Sequence, residues 1–404
     1  VTYFEQAPEA LEHHVDEGTL DQAFDIRLDL RSALIPLGEF ARVFQMLHEL
    51  ESLAERLRDR RRQGLVYALM AGAYPNLGRA DQAVVYGEQA REIAAQIGDS
   101  TIAILANTYL GVARYFLGDY QGCLECTRRV IELLPRERSH ESFGVAIRPA
   151  VFARGFLCWA LSDLGRFDEG EAMARETLEI AEAVGHPQTV VSGLLTIGTL
   201  HVRRGDVALA IAPFERARHL CLRHDVPLWR PVFAAFLGYS LALTARFTEA
   251  ESLLREAMEQ SAVMRMGSFH SQLIMWLSEA RLLMGAVGDA GKLADDALEC
   301  TREKHEAGLE SWALHLAAEV TTHREPLDLP RAENLYRQAM RQAERLGGRP
   351  LMARCHFGLG SLYRRAGKGH EARESLEAAA ALFRDMGMRL WSDRVDAEVK
   401  LLSG

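Results

Sequence analysis

The sequence predicts an all-α solenoid of about nine stacked helical hairpins ending in a capping helix, and three observations predict it. A turn residue recurs as Gly38, Gly78, Gly118, Gly165, Gly205, Ala245, Gly285, Leu327 and Gly367, in steps of 40, 40, 47, 40, 40, 40, 42 and 40 residues. Seven positions earlier stands a small residue that follows a large apolar one, as in Met70-Ala71, Leu110-Gly111, Leu157-Cys158, Ile197-Gly198, Leu237-Gly238, Leu277-Ser278 and Leu359-Gly360. Five and twelve positions later come two more small columns, among them Ala83 and Ala90, Cys123 and Val130, Ala210 and Ala217, Ala250 and Ala257, and Ala372 and Ala379. A period of this size is the mark of identical supersecondary units stacked in a line.

Each element follows from that frame. The segment before the turn is a first helix. Glycine inside a helix costs roughly 0.5–1 kcal/mol relative to alanine, so Gly111, Gly198, Gly238 and Gly360 need a packing reason, and close approach of a second helix supplies it. The segment after the turn is that second helix, whose small residues seven apart lie on nearly one face. Residues 18–386 are read as the tandem repeats. Residues 387–404 are read as a capping helix with Trp391 and Val395 inward among Asp393, Arg394, Glu398 and Lys400, the solvating end that a repeat array requires. Extended backwards, the frame places Ala7 and Ala10 at second-helix core positions, so residues 1–17 are read as the remnant of a preceding repeat in a longer protein. Two repeats depart from the pattern: Arg31 occupies the small first-helix position of repeat 1, and repeat 8 has a longer loop with Pro326 and Pro330. The 47-residue step carries seven extra residues, an insertion at 135–149 that starts where Pro135 ends a helix. Insertions in such arrays map to one face, often the binding face, and an inward fold would bring in His140, Phe143 and Arg148.

Composition agrees with this reading. Hydrophobic residues make up 48% and charged residues 25%, ordinary for a globular protein with a continuous core. The unbroken period argues for one elongated array in which each repeat touches only its neighbours. No run of 18 or more apolar residues is present, so no membrane span is expected, and the first residues read as an amphipathic segment and not as a signal peptide. Six cysteines without framework spacing fit a reducing, cytoplasmic setting. A formal net charge of −9 argues against direct nucleic-acid binding.

The apparent chemical motifs read as structural. Cys123 and Cys126 form a C-x-x-C, but no second pair accompanies it and Cys123 fills a small core position. Gly291-Lys292 resembles the end of a phosphate loop, yet Leu293 replaces the hydroxyl residue and no strand precedes it. His13-His14 reads as a solvent-exposed pair. Arg56, Arg58, Arg60, Arg61 and Arg62 read as a solvated helix end. No catalytic triad is legible. The expectation is a non-catalytic chain with no cofactor and no metal.

The large–small pair, the turn glycine and the two small second-helix positions together resemble the tetratricopeptide repeat family, in a variant of about 40 residues. The segments Leu237-Gly238-Tyr239 and Gly358-Leu359-Gly360-Ser361-Leu362-Tyr363 are most similar to the family pattern. That resemblance implies a right-handed superhelix whose first helices line a concave groove. The groove positions it implies are Thr108, Val112 and Tyr115 in repeat 3, Phe152 and Trp159 in repeat 4, and Ser192 and Thr199 in repeat 5. Tyr239 follows in repeat 6, and Gln272 and Glu279 in repeat 7. The set is aromatic and polar without strong charge, and it suits a small ligand or a largely apolar peptide. Trp229 joins it because tryptophan is costly to expose in a loop; Phe143 and Arg148 join it from the insertion.

A wider resemblance carries the functional expectation. The run from Cys355 to Arg365, Asp225-Val226-Pro227-Leu228-Trp229 and Met386-Gly387-Met388 look like the last repeats of large bacterial signalling proteins. In those, a class III nucleotide-cyclase domain (adenylate or guanylate cyclase) or a LuxR-type DNA-binding domain, with a signal-transduction ATPase module, precedes the repeats. The resemblance implies a sensor arm that binds a small-molecule inducer or a protein or peptide partner and regulates the upstream ATPase or effector domain. The alternative is a free-standing interaction scaffold that self-associates as a homo-dimer through an open first repeat.

Overall fold

The computed structural model describes residues 17–403. The His13-His14 pair and the helix expected at residues 1–17, apart from Glu17, fall outside them. Among the described residues there are nineteen α-helices and no strand. In chain order the hairpins are α1 (Glu17–Leu34) with α2 (Phe40–Leu57), α3 (Arg60–Ala73) with α4 (Ala80–Ile97), and α5 (Ser100–Phe116) with α6 (Tyr120–Leu133). Next come α7 (Pro149–Asp163) with α8 (Phe167–Val184), α9 (Pro187–Arg204) with α10 (Val207–Arg223), and α11 (Arg230–Leu243) with α12 (Phe247–Val263). Then α13 (His270–Leu283) pairs with α14 (Val287–Glu303), α15 (Ala307–Thr322) with α16 (Leu329–Leu346), and α17 (Arg349–Arg365) with α18 (Gly369–Asp385), before the terminal α19 (Arg389–Ser403).

The two helices of a hairpin differ in how they meet water. In α11 every residue from Pro231 to Ala242 is buried, and α7 is nearly as enclosed. A helix apolar all round belongs inside, and these odd-numbered helices form the inner layer. The even-numbered helices bury one stripe only: Ala250, Leu254, Ala257 and Ser261 in α12, and Ala372, Leu376, Ala379 and Phe383 in α18. That 3–4 spacing is one face of a 3.6-residue helix, and it makes them the outer layer. The small first-helix column sits where the two layers touch. A methyl added to Gly198 would stand 2.3 Å from the Phe214 ring, and one added to Gly360 would stand 2.6 Å from Leu376.

The hairpin turns are left-handed at the recurring residue, including Ala245 with φ 62° in place of glycine. A second left-handed column, unread in the sequence, ends the outer helices at Arg58, Gly98, Gly185, Asp225, Arg265, His305, Gly347 and Gly387. Half of these are not glycine, which hides the column from a search for glycines. Repeat 8 breaks the first column; there Asp328 caps α16 by accepting a hydrogen bond from the Arg331 amide at 3.1 Å.

The expectation that each repeat touches only its neighbours is corrected. The array coils tightly enough to meet itself about five hairpins on, so that α5 packs on α15 and α7 on α17. The Gly267 amide donates to the Asn76 carbonyl at 2.7 Å, and Lys304 Nζ donates to the Gly267 carbonyl at 3.0 Å. Gly118 lies so close to Gly308 that an added methyl would reach its nitrogen at 2.9 Å. The physical reason is the small columns: hairpins that approach closely stack with a steep curvature, and turns without side chains let successive coils touch.

Candidate functional site

Coiling places the inner helices around a central channel, divided by aromatic rings into two chambers that share Phe116 and Phe269. Phe269 is held at φ 60°, with its ring 5.8 Å from Phe116, 6.1 Å from Trp159 and 6.0 Å from Phe236. The first chamber, about 160 Å³, is lined chiefly by apolar residues of α5, α7, the insertion and the start of α11, with Arg31 and Ser32 from α1 and Gln188, Ser192, Leu195 and Thr196 from α9. The second, about 120 Å³, is lined by α5, α7, α9, α11, α13, α15, α17 and α19.

Of the residues expected to bind, Phe152, Trp159 and Trp229 line the first chamber, together with Val112 and Ser192. Tyr115, Thr199, Tyr239, Gln272 and Glu279 line the second. Three do not line either. Thr108 is buried inside the wall, with its hydroxyl donating to the Ile104 carbonyl at 2.8 Å. Phe143 packs beneath α5 among the side chains of the inner layer. Arg148 stays at the exposed start of α7, donating from Nε to the His140 carbonyl at 2.9 Å. The insertion does fold inward, but through Gly144, Val145, Ala146 and Ile147, which wall the first chamber. Ser32 on α1 holds it there by donating to the Gly144 carbonyl at 3.3 Å.

The expectation of a lining without strong charge is also corrected, because three arginines from separate repeats converge on the second chamber. Arg203 pairs with Asp163, donates to Tyr115 Oη at 2.5 Å and to the Trp159 carbonyl at 3.1 Å. Tyr115 in turn donates to Asp163 at 2.9 Å. Burial pushes the Asp163 carboxyl upward against the pull of Arg203, and it pushes the Tyr115 phenol up as well. Across the chamber Tyr239 stacks on Trp276 at 4.8 Å and donates to Glu279 at 2.8 Å. Arg354 lies 3.7 Å from Glu279 and 3.7 Å above the Trp391 ring, with Arg394 also over that ring at 4.5 Å. No single repeat carries this charge pattern, so periodicity has no means to reveal it.

Several buried polar atoms that line the channel have no hydrogen-bond partner: Trp159 Nε1, Trp229 Nε1, Thr199 Oγ1, Arg31 Nε and Arg354 Nε. Buried groups of this kind are ordinarily satisfied.

The remaining motifs are structural in their setting. Cys123 and Cys126 are buried, Cys123 Sγ contacts the Phe156 carbonyl at 3.7 Å, and burial raises both thiols. Lys292 lies within α14. Arg61 pairs with Asp99 at 2.7 Å, and Arg62 with Asp21 and Asp59. Among the described residues no group of three His, Cys, Asp or Glu is placed to hold a metal, and no helix is long and apolar enough to cross a membrane.

No curated protein matches this sequence. In fold the chain is similar to a Rap protein complexed with competence and sporulation factor, at 14% identity and a TM-score of 0.59, covering 85% of this chain and 96% of that one. It is similar to the Rap conjugation gene regulator of plasmid pLS20 in complex with the Phr* peptide, at 14% identity and a TM-score of 0.57, over 85% and 96% of the two chains. It is also similar to the apo form of the quorum sensor NprR from B. thuringiensis, at 11% identity and a TM-score of 0.52, over 88% and 97%. Residues 327–385, which span α16 to α18, match the tetratricopeptide repeat family, and the fold of the chain is an α-solenoid of that type.

Proposed function

We propose that this chain is a non-catalytic binding domain that takes a small ligand or a short, largely apolar peptide inside its central channel. The observation that carries the reading is the set of unpartnered polar atoms on the channel wall, Trp159 Nε1, Trp229 Nε1 and Thr199 Oγ1, set among apolar and aromatic surface. An enclosed apolar site with a few convergent polar groups is how small-molecule pockets are built. The fold neighbours support it: two are described in complex with competence and sporulation factor or with the Phr* peptide, and a third as a quorum sensor.

In the same reading the domain is a sensor that regulates an attached signalling ATPase, cyclase or transcription-regulator module. Because inner helices five hairpins apart share the channel walls, occupancy of the channel would be coupled to how tightly the coil closes. The test is a thermal-shift screen of metabolites and short peptides, repeated on Trp159→Ala and Tyr239→Ala. Hits whose stabilisation both substitutions abolish support the channel; hits indifferent to both refute it. The scaffold alternative predicts concentration-dependent homo-dimers by light scattering.

A further inference from the structure

The first chamber is mostly apolar, with neutral polar residues such as Asn76, Gln188 and Ser192 on its wall and a single charged one. Arg31, on α1, is the sole charged residue of its lining and is only 2% exposed. Its Nε has no hydrogen-bond partner, and among the described residues no carboxylate lies within ion-pair distance of it. The group that interacts with it is the phenol of Tyr109, a neutral hydrogen-bond partner whose pKa burial pushes upward. Burial likewise lowers the Arg31 pKa, with only the Tyr109 phenol working to raise it and no carboxylate beside it. An uncompensated charge in such surroundings costs several kcal/mol, and arginine does not escape that cost by losing its proton. Arg31 also breaks the repeat: it occupies the column where the other repeats keep a small residue such as Ala71, Gly111 or Gly198. A structural role would call for alanine or glycine there.

Resting on the proposed function, we infer that Arg31 receives the carboxylate of the ligand, and that the ligand is an apolar monocarboxylate whose body fills the first chamber. A planar guanidinium matches a carboxylate through two parallel hydrogen bonds. One positive charge balances one negative charge, and the chamber offers no second cation for a phosphate dianion. Val145 and Ile147 of the insertion, with Phe152 and Trp229, supply the apolar walls that would enclose the body. The carboxylate could belong to a medium-chain fatty acid or to the C-terminus of a short apolar peptide; the recognition chemistry is shared.

The test uses n-decanoate against n-decanamide, and acetyl-Leu-Phe-Leu with a free C-terminus against its amide. Binding is read by isothermal titration and by fluorescence of Trp159 and Trp229. The expected result is that at least one acid binds at least tenfold more tightly than its amide, and which acid does so identifies the source of the carboxylate. Arg31→Met abolishes or reverses the preference while retaining binding of the neutral amide, an outcome that misfolding would not give. Arg31→Lys, which keeps the charge, retains part of the preference. Equal affinity for acid and amide, no binding of either acid, or a preference that survives Arg31→Met overturns the inference. In each of those cases, screen hits abolished by Trp159→Ala and Tyr239→Ala would leave the channel reading standing, so the two failures are distinguishable.

Discussion

Gly198→Ala sets two opposing effects against each other at one position. Alanine is the better helix former by about 0.5–1 kcal/mol, so propensity alone predicts that the variant is more stable. The added methyl, however, would lie 2.3, 2.6 and 2.8 Å from three atoms of the Phe214 ring, where ordinary contact begins at 3.4 Å. Phe214 has no exposure and is itself wedged against Phe236 at 5.3 Å, so the ring has nowhere to retreat. Overpacking of this kind costs typically 1–3 kcal/mol. The clash wins, and the net expectation is destabilisation of about 1–2 kcal/mol. Urea denaturation followed by circular dichroism measures it, with hydrogen exchange of α9 and α10 as the local readout. Gly288→Ala is the control: a methyl there meets nothing within 4 Å, so the same substitution should be neutral or stabilising by a few tenths of a kcal/mol. Phe214→Leu combined with Gly198→Ala should cost less than the sum of the single changes, since the smaller side chain vacates the space the methyl needs. A stabilised Gly198→Ala, or strict additivity with Phe214→Leu, would refute the idea that close helix approach selects glycine at this column.

Three further outcomes follow from the coil and its buried charges. Gly267→Val should loosen the coil, because a Cβ at that position would stand 2.3 Å from the Leu77 backbone; small-angle scattering should show a larger radius of gyration, and an unchanged one counts against coil-to-coil contact. Asp163→Asn removes the carboxylate that compensates buried Arg203 and should cost about 3–5 kcal/mol, whereas a loss under 1 kcal/mol in thermal or urea unfolding would mean the pair is hydrated. His315 is buried, with burial first and Arg354 second lowering its pKa from the usual 6.5 to about 3. The unfolded chain therefore takes up a proton between about pH 6.5 and about 3 that the folded chain refuses, so stability falls as pH falls through that window, by at most about 1.4 kcal/mol per pH unit. His315→Gln should flatten that slope in melting temperatures measured across the range; an identical slope would show that His315 does not titrate this way.

The candidate site was half legible in the chain. Family resemblance selected Phe152, Trp159, Tyr115, Tyr239, Gln272 and Glu279, all of which line the channel. It also selected Thr108, whose position is right for a first helix but whose hydroxyl is spent on its own backbone. For the insertion, an inward fold predicts Phe143 and Arg148 at the wall, whereas the wall is built by the smaller Val145 and Ile147 beside them. Side-chain size does not predict which way an irregular loop turns.

What the sequence by itself determined is the local and nearest-neighbour structure: which segments are helices, where they turn, and which faces are thin enough for a neighbour to approach. Those properties depend on residues at most one repeat apart, so a period of 40 residues exposes them. Only the tertiary structure decided how far each hairpin rotates on the last. That rotation accumulates over five repeats, and it brings Asn76 to Gly267 and sets Arg203, Arg354 and Arg394 around one chamber. It also determines that Arg31, a misfit in the repeat pattern, becomes the sole charge in an apolar cavity. Small angles summed over many interfaces leave no trace in any single repeat, and that is why the channel had to be seen folded.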